Sequence, residues 1–427
     1  MAYKIVRPVA SIALASFFRK IYLSNTERID WSKPLIIASN HPTAFTEPCI
    51  LACFLEQPLH FLVRGDFFKK PFYAFLMRQV HLIPIFRMKD GGYKNLRQNF
   101  QTFDYCYSAL DEGKNIMILA EGSTVYEKRL RPIQKGTARI VFGAMERFPD
   151  MDLQVIPVGV NFNFSNRFRS DVMITVQEPI AARDFLALYR DQPAQAINDL
   201  TSTLENRMKE GVVHLDNMSY ELLAERLWEM QRSGRSLRYW PVVDGDETPF
   251  REEKGLANWL NALDPDTREK LEKGVETYFD QLAGSAISDL ALLSGKSSFA
   301  RQLFLILGAV PALLGRIGNW PPYWLARRIV DKKVKYIEFY GSVFIGICIG
   351  GYTLYYLLLL LLCGSLWGWL GLAGVGAVAL SGLWYIRYYD YWLEFQAYRQ
   401  KKGLGEAKTA ELLQAREELI RTFEMPI

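Results

Sequence analysis

A histidine followed at short range by a carboxylate is the most chemically suggestive feature of this chain. Residues Ala38-Ser39-Asn40-His41-Pro42-Thr43-Ala44-Phe45-Thr46-Glu47-Pro48 end a β-like run and open a helical one. A neutral imidazole can take a proton from a hydroxyl, and a nearby carboxylate fixes its tautomer, so His41 and Glu47 have the types and spacing of a general-base pair. Positioned proton transfer of this kind is typically worth ~10² to 10⁴ in rate. The same residues also read as an ordinary helix start, with Thr46 as the cap, Glu47 at the positive end and Pro48 in the first turn, where no N–H is needed. The two readings are compatible, because a helix start holds a carboxylate rigidly.

Three further segments carry suitable groups. His81-Leu82-Ile83-Pro84-Ile85-Phe86-Arg87 reads as a strand ending in a guanidinium, whose planar fork matches phosphate oxygens. In Leu119-Ala120-Glu121-Gly122-Ser123-Thr124, Gly122 lets the backbone approach a ligand, Glu121 can accept from a hydroxyl, and the Ser123 and Thr124 hydroxyls can donate to phosphate. Val155-Ile156-Pro157-Val158-Gly159-Val160 is an apolar strand interrupted by proline. Each also has a purely structural reading: a surface arginine, a strand-to-loop turn, a buried strand. Arg129, Arg131 and Lys135 follow the third segment, and residues 61–140 hold 14 Lys and Arg against 7 Asp and Glu. Positive charge is concentrated where an anionic substrate or headgroup could meet it.

These groups need a scaffold, and the flanking pattern supplies one. The strand candidates PLIIASN, HFLVRG, HLIPIFR, NIMILAEG, LQVIPVGVNF and DVMITVQEP alternate with the helical runs EPCILACFLE, KPFYAFLMRQV, YKNLRQNFQTFDYCYSALDEG and GTARIVFGAMERF. The first strand is predicted at about residue 34. The alternation predicts an α/β fold, a mixed, mainly parallel sheet flanked by helices, over residues 31–185. Ligands of such sheets bind at loops beyond the strand ends, where the residues above fall.

Together the segments resemble the glycerol-phosphate and lysophosphatidate acyltransferase superfamily, often called PlsC-like. Its signature is Asn-His, four variable residues and Asp; here Thr46 stands at the four-spacer position and the acid is Glu47, one residue later, a spacing the family tolerates. His81 to Arg87 is similar to the second block, whose arginine contacts the substrate phosphate. Leu119 to Thr124 is similar to Phe-Pro-Glu-Gly-Thr-Arg, with Ala120 in place of the proline and Thr124 where arginine is usual, and Lys135-Gly136 matches a basic-Gly pair. Val155 to Val160 looks like the fourth block, and the likeness covers roughly residues 30–185.

The resemblance implies an O-acyltransferase with His41 as base and Glu47 orienting it. Asn40, Arg87, Glu121, Gly122, Ser123, Thr124 and Lys135 would bind substrate. It implies no metal and no cofactor, acyl-CoA or acyl carrier protein as co-substrate, and glycerol 3-phosphate or 1-acylglycerol 3-phosphate as acceptor. Another lyso-lipid or an amino-acid-derived lipid as acceptor, and a non-catalytic membrane scaffold retaining the fold, stay open as alternatives.

The rest of the chain points to a phospholipid membrane, and no nucleic-acid partner is expected. Half of the residues are hydrophobic, and the mean hydropathy is close to zero. Residues 1–30 carry Lys4 and Arg7 before an apolar run, which predicts an amphipathic membrane-associating helix rather than a cleaved signal. Residues 186–300 read as a helical region without strands. In 301–337, the uncharged stretch 302–315 contains Pro311 and is too short to cross, so an interfacial or re-entrant segment is expected. Between Glu338 and Arg387 lie 48 uncharged residues, enough for two helices of ~20 residues with a turn near Gly364 to Gly368. This predicts a transmembrane hairpin over 338–390, then a C-terminal helix in 391–427. Basic residues on both flanks, among them Arg327, Arg328, Lys332, Arg387 and Lys401, would keep the catalytic domain of this multi-pass protein on the cytosolic side. The five cysteines and four histidines show neither a disulfide framework nor a zinc spacing.

Overall fold

Leu35–Ser39 is buried at every position, as a strand covered on both faces must be. It lies in the interior of a nine-stranded sheet. The structure, a computed structural model, describes residues 2–85, 93–235, 239–295 and 298–427. In chain order the first elements are α1 (Ala2–Phe17), β1 (Lys20–Ser24), β2 (Leu35–Ser39), α2 (Thr46–Phe54), β3 (Leu59–Arg64), α3 (Pro71–Gln79) and β4 (Leu82–Ile85). They are followed by α4 (Tyr93–Asp111), β5 (Asn115–Leu119), α5 (Gly136–Arg147), β6 (Gln154–Phe162), β7 (Asp171–Val176) and β8 (Ile180–Ala181). Next come α6 (Leu186–Asp191), α7 (Pro193–Glu210), α8 (Glu221–Ser233) and β9 (Val243–Asp244).

The strand order is β4-β3-β5-β2-β6-β7-β1-β9, with β8 beside β6. Pairing is parallel from β4 through β6 and again from β7 through β9, and antiparallel where β6 meets β7 and β8. The sheet is therefore mixed and mainly parallel. Cys106 and Leu110 of α4, Phe142 of α5 and Leu200 of α7 share one core with Ile36 and Val155 of the sheet. Burial pushes the Cys106 thiol up to about 12, which suits a packing residue. Helix α1 is tied to α2, since the Tyr3 hydroxyl donates to the Ala52 carbonyl at 3.1 Å and Arg7 donates to that of Cys53 at 3.2 Å.

Two strands lie outside the stretch in which the sequence predicts strands. Lys20–Ser24 forms β1 well before residue 34, and Val243–Asp244 forms β9 within the stretch predicted to be helical. Both are short, and ion pairs tie their ends to neighbouring strands. Lys20 Nζ lies 2.9 Å from Asp244 Oδ2, and Arg19 pairs with Asp171 of β7 at 2.6 Å. Val243–Asp244 is too short for a period-2 apolar signal, and Lys20–Ser24 offers only Ile21, Tyr22 and Leu23 between polar ends.

The chain forms two compact units. One comprises Met1–Val212, Val242–Glu247 and Lys335–Ile345; the other comprises Val213–Pro241, Thr248–Val334 and Gly346–Ile427. The second unit is helical, with α9 (Thr248–Ala262), α10 (Pro265–Gly284), α11 (Asp289–Leu293), α12 (Phe299–Leu307), α13 (Ala309–Gly318) and α14 (Trp320–Lys333). It also holds most of α15 (Ile337–Leu404) and all of α16 (Glu406–Thr422). Its buried Asp289 accepts from Arg416 of α16 at 3.0 Å and from the Tyr278 hydroxyl. Helices α12 and α13 meet at a bend of 49°. Helix α15 is the one described helix long and apolar enough to cross a membrane, and large side chains along it, such as Leu361 and Leu380, stay exposed. Its helical conformation breaks at Gly368, with φ 53° and ψ −135°, and a side chain added at Gly371 would run into the Cys363 carbonyl.

Candidate active site

The site grows from the C-terminal ends of β2, β5 and β6. Asn40, just past β2, turns its amide onto β6, with Nδ2 donating to the Val160 carbonyl at 2.9 Å and Oδ1 accepting the Val160 N–H at 2.8 Å. The side chain stands in for a peptide group, prolonging the ladder while the main chain leaves the sheet. His41 follows immediately, and its backbone N–H donates to Glu121 Oε2 at 2.9 Å.

The ring of His41 is engaged at both nitrogens. Nδ1 lies 2.6 Å from Glu47 Oε1, and Nε2 lies 2.6 Å from the Thr124 hydroxyl. His41 is 7% exposed and Glu47 0%. A carboxylate only accepts, so it assigns the ring proton to Nδ1 and leaves Nε2 as the lone-pair nitrogen, to which Thr124 donates. Carboxylate, imidazole and hydroxyl thus form a line along which a proton can move. The other oxygen of Glu47 accepts from the Thr43 hydroxyl.

The start of α2 shows how Glu47 is held. Thr46 is the first helical residue rather than the cap, and the cap position is Phe45, which has no side-chain acceptor. Two hydroxyls serve other donors at this end of the helix: Thr43 Oγ1 accepts the Thr46 N–H at 3.3 Å, and Ser342 Oγ accepts the Phe45 N–H at 3.2 Å. Glu47 therefore sits in the first turn, where the helix dipole favours a carboxylate, with its neighbours' donors satisfied.

Glu121 joins the loops after β2 and β5. Besides His41, it takes the Arg131 backbone N–H at 2.8 Å on Oε1 and the Arg131 guanidinium at 2.6 Å on Oε2. The same guanidinium donates to Ser123 Oγ at 2.8 Å and to the Ser123 carbonyl. Gly122 makes the turn possible, since its φ is 68° and an added Cβ would meet Gln134 Cγ at 2.9 Å. Lys128 is buried and donates to the Phe162 and Asn163 carbonyls at the end of β6, while Arg129 pairs with Glu127 at 2.7 Å.

Of the residues marked from sequence, Asn40, His41, Glu47, Glu121, Gly122, Ser123 and Thr124 come together here. Lys135 is exposed at the cap position of α5, makes no capping bond, and follows Gln134, which packs on Gly122. Arg87 lies outside the described residues. Sequence reasoning gave no role to Thr43 or Ser342 and named Arg131 only as one of several phosphate candidates. Thr43 had a local signal, a hydroxyl three residues before the first helical residue. Ser342 had none.

Residues 20–161 match the Acyltransferase family. The chain is 24% identical over 231 residues to glycerol-3-phosphate O-acyltransferase 1 of Saccharomyces cerevisiae, covering 52% of this chain and 30% of that protein. It is 27% identical over 135 residues to glycerol-3-phosphate O-acyltransferase 2 of the same yeast, covering 31% and 18%. The matched region thus spans less than a third of either relative's length. Among solved structures, the 1-acyl-sn-glycerophosphate acyltransferase PlsC from Thermotoga maritima is matched with a TM-score of 0.37 at 14% identity, covering 49% of this chain and 77% of that one.

Proposed function

We propose that this chain, whose residues 20–161 form a domain of the acyltransferase family, is a membrane-bound O-acyltransferase of phospholipid biosynthesis. It transfers a fatty acyl group from acyl-CoA or acyl carrier protein to glycerol 3-phosphate or 1-acylglycerol 3-phosphate. One observation carries the reading: the line from Glu47 through His41 to Thr124, with 2.6 Å on either side of the ring. The names of the two yeast relatives support glycerol 3-phosphate as the acceptor.

In this mechanism the acceptor hydroxyl replaces that of Thr124 at Nε2 and gives up its proton there. Its oxygen attacks the thioester carbonyl directly. The C–S bond then breaks, and the departing thiolate takes the proton from the imidazolium, so that no acyl-enzyme forms. Glu47 holds the ring and stabilises its charged form, Glu121 and Asn40 fix the loop, and the displaced Thr124 hydroxyl turns to the acceptor phosphate. Arg131 is occupied by Glu121 and Ser123, so phosphate binding falls to Arg87 and Lys135 together with the Ser123 and Thr124 hydroxyls. The engagement of Arg131 also favours a second reading, an acceptor without phosphate.

The apolar stretch of α15 is proposed as a transmembrane hairpin turning at Gly368. The break there, the approach of Gly371 to Cys363, the exposed leucines and the basic flanks support it. On this reading both ends, and the catalytic domain, are cytosolic, as the basic flanks favour. The bent pair α12 and α13 reads as an interfacial or re-entrant segment.

The test is thiol release from acyl-CoA by the full chain in detergent, with glycerol 3-phosphate, 1-acylglycerol 3-phosphate or a phosphate-free lyso-lipid as acceptor. Turnover with one of the first two is expected, and turnover with the third alone would favour the second reading. His41→Ala should abolish transfer while leaving folding and membrane association intact; retained turnover would refute the assignment.

A further inference from the structure

The first turns of α15 are seated in the catalytic unit, on the loop that carries the proposed base and its acid. Residues Lys335–Ile345 group with that unit. The Glu338 carbonyl accepts the Ala44 N–H at 3.0 Å, and the Ser342 hydroxyl accepts the Phe45 N–H at 3.2 Å. Ser342 Oγ also shares a hydrogen bond with the Thr46 hydroxyl at 2.8 Å. Ser342 is 0% exposed and Thr46 3%. Around this contact the packing is close: a Cβ at Gly341 would run into the Ser165 carbonyl, and Phe344 lies 5.9 Å from Phe17 between ring centroids.

We infer that Ser342 is a positioning residue for the His41–Glu47 pair, acting through Phe45 and Thr46; this rests on the acyl-transfer reading above. The physical need is local. The N–H of Phe45, the cap position of α2, finds no acceptor in the first turn, where the residue three on is Pro48 rather than a Glu or Gln that could reach back, so it takes one from elsewhere. Thr43 is already used, accepting from Thr46 and donating to Glu47. Ser342 supplies the remaining acceptor and, through the Thr46 hydroxyl, fixes the residue directly before Glu47. The place of Thr46, which the family signature gives to the acid, is thus filled by a group that anchors the acid's neighbour. Without Ser342 the buried Thr46 hydroxyl loses a partner, the N–H of Phe45, a residue itself 39% exposed, loses its acceptor, and the first turn of α2 is free to shift. The contact it would disturb is the 2.6 Å approach of Glu47 Oε1 to His41 Nδ1.

Steady-state kinetics of the full chain in detergent, with thiol release as the readout, test this. Ser342→Ala should lower kcat by roughly 10- to 100-fold, the scale of a catalytic group misplaced by about 1 Å. Both KM values should stay within about threefold, because Ser342 is fully buried. Thr46→Val should lower kcat comparably, and adding Ser342→Ala to it should cost little more, as expected for one shared contact. The exchange of Thr46→Ser with Ser342→Thr keeps both hydroxyls and should return kcat to within about threefold of the parent protein, which loss of packing alone would not do. An unchanged kcat in Ser342→Ala, additive losses in the double variant, or an exchange pair no better than Ser342→Ala would each overturn the inference. Should Ser342→Ala fail to fold, as judged by its thermal midpoint, Thr46→Val and the exchange pair decide by the same criteria. His41→Ala in the same assay separates the two claims: turnover in that variant sinks the acyl-transfer reading, while a dead His41→Ala beside an unaffected Ser342→Ala sinks only the role of Ser342.

Discussion

Replacing Glu47 by glutamine removes a charge and leaves the shape almost unchanged, so its effect follows from the hydrogen bonds alone. In the structure one carboxylate oxygen takes the Thr43 hydroxyl and the other faces His41 Nδ1 at 2.6 Å. The amide oxygen of Gln would stay with Thr43, the donor, and its NH₂ would face the ring. Nδ1 must then accept, which moves the ring proton to Nε2 and leaves no lone pair there for the acceptor's proton. Glu47→Gln should lower kcat by ~10² to 10⁴, the usual worth of positioned proton transfer. At ~1.36 kcal/mol per decade that adds about 3 to 5 kcal/mol to the barrier. KM should change little, because Glu47 is fully buried behind the histidine. Stability should not fall with activity: a neutral amide escapes the desolvation cost of a buried carboxylate, so the thermal midpoint should match or exceed the parent's. Glu47→Asp, with an arm shorter by about 1.5 Å, should open the contact beyond hydrogen-bond range and reduce kcat without the tautomer switch. The assay is thiol release from acyl-CoA with saturating glycerol 3-phosphate, beside a melting curve for each variant. A Glu47→Gln protein that keeps kcat within about fivefold of the parent would remove His41 from the role of base.

The remaining predictions concern the groups around this pair. Arg131→Ala leaves the buried Glu121 carboxylate without its guanidinium partner and should cost about 3 kcal/mol of stability, seen as a lower thermal midpoint that Glu121→Gln in the same chain partly restores. Thr124→Val should raise the acceptor KM several-fold while kcat persists, and intact mass spectrometry after exposure to acyl-CoA without acceptor should find no acyl adduct on the parent protein; an adduct on Thr124 would replace direct attack by a covalent route. His60 stacks on His81 with ring centroids 4.4 Å apart, and burial, then the neighbouring His81 and Lys114, push its imidazole down to about 4. The unfolded chain then binds more protons than the folded one between about 4 and 6.5, so stability is complete above about 6.5 and is lost as pH falls toward 4. His60→Phe should therefore lose less of its thermal midpoint on acidification than the parent does.

What was legible in the sequence was whatever repeats or sits close along the chain. Strands β2, β5, β6 and β7 are five or more residues long, mainly apolar and bounded by turn residues, so they declare themselves. Strands β1 and β9 do not, because Lys20 and Ser24 leave β1 only three apolar residues and β9 is two residues long and half charged. Asn40, His41, Glu47, Glu121 and Thr124 were visible as types at strand ends. Their uses were not: Asn40 is spent on Val160 and Glu121 on Arg131 and the His41 backbone, although both carry groups that sequence assigns equally well to substrate.

The harder lesson lies in the displaced acid. Against the family spacing, Glu47 looks like a residue one place out of register, and Thr46 looks like a loss. In three dimensions the shift is compensated, because α2 begins at Thr46 and the first turn directs Glu47, not Thr46, at the ring. Thr46 turns instead to Ser342, nearly three hundred residues later, in a stretch whose composition speaks only of membrane. A serine among apolar residues at a helix start carries no sign of what it touches, so no window of sequence could assign it. Whether an acid one residue late can do the same chemistry is thus a question about where a helix begins, and that beginning is set jointly by Thr43, within the motif, and Ser342, far outside it.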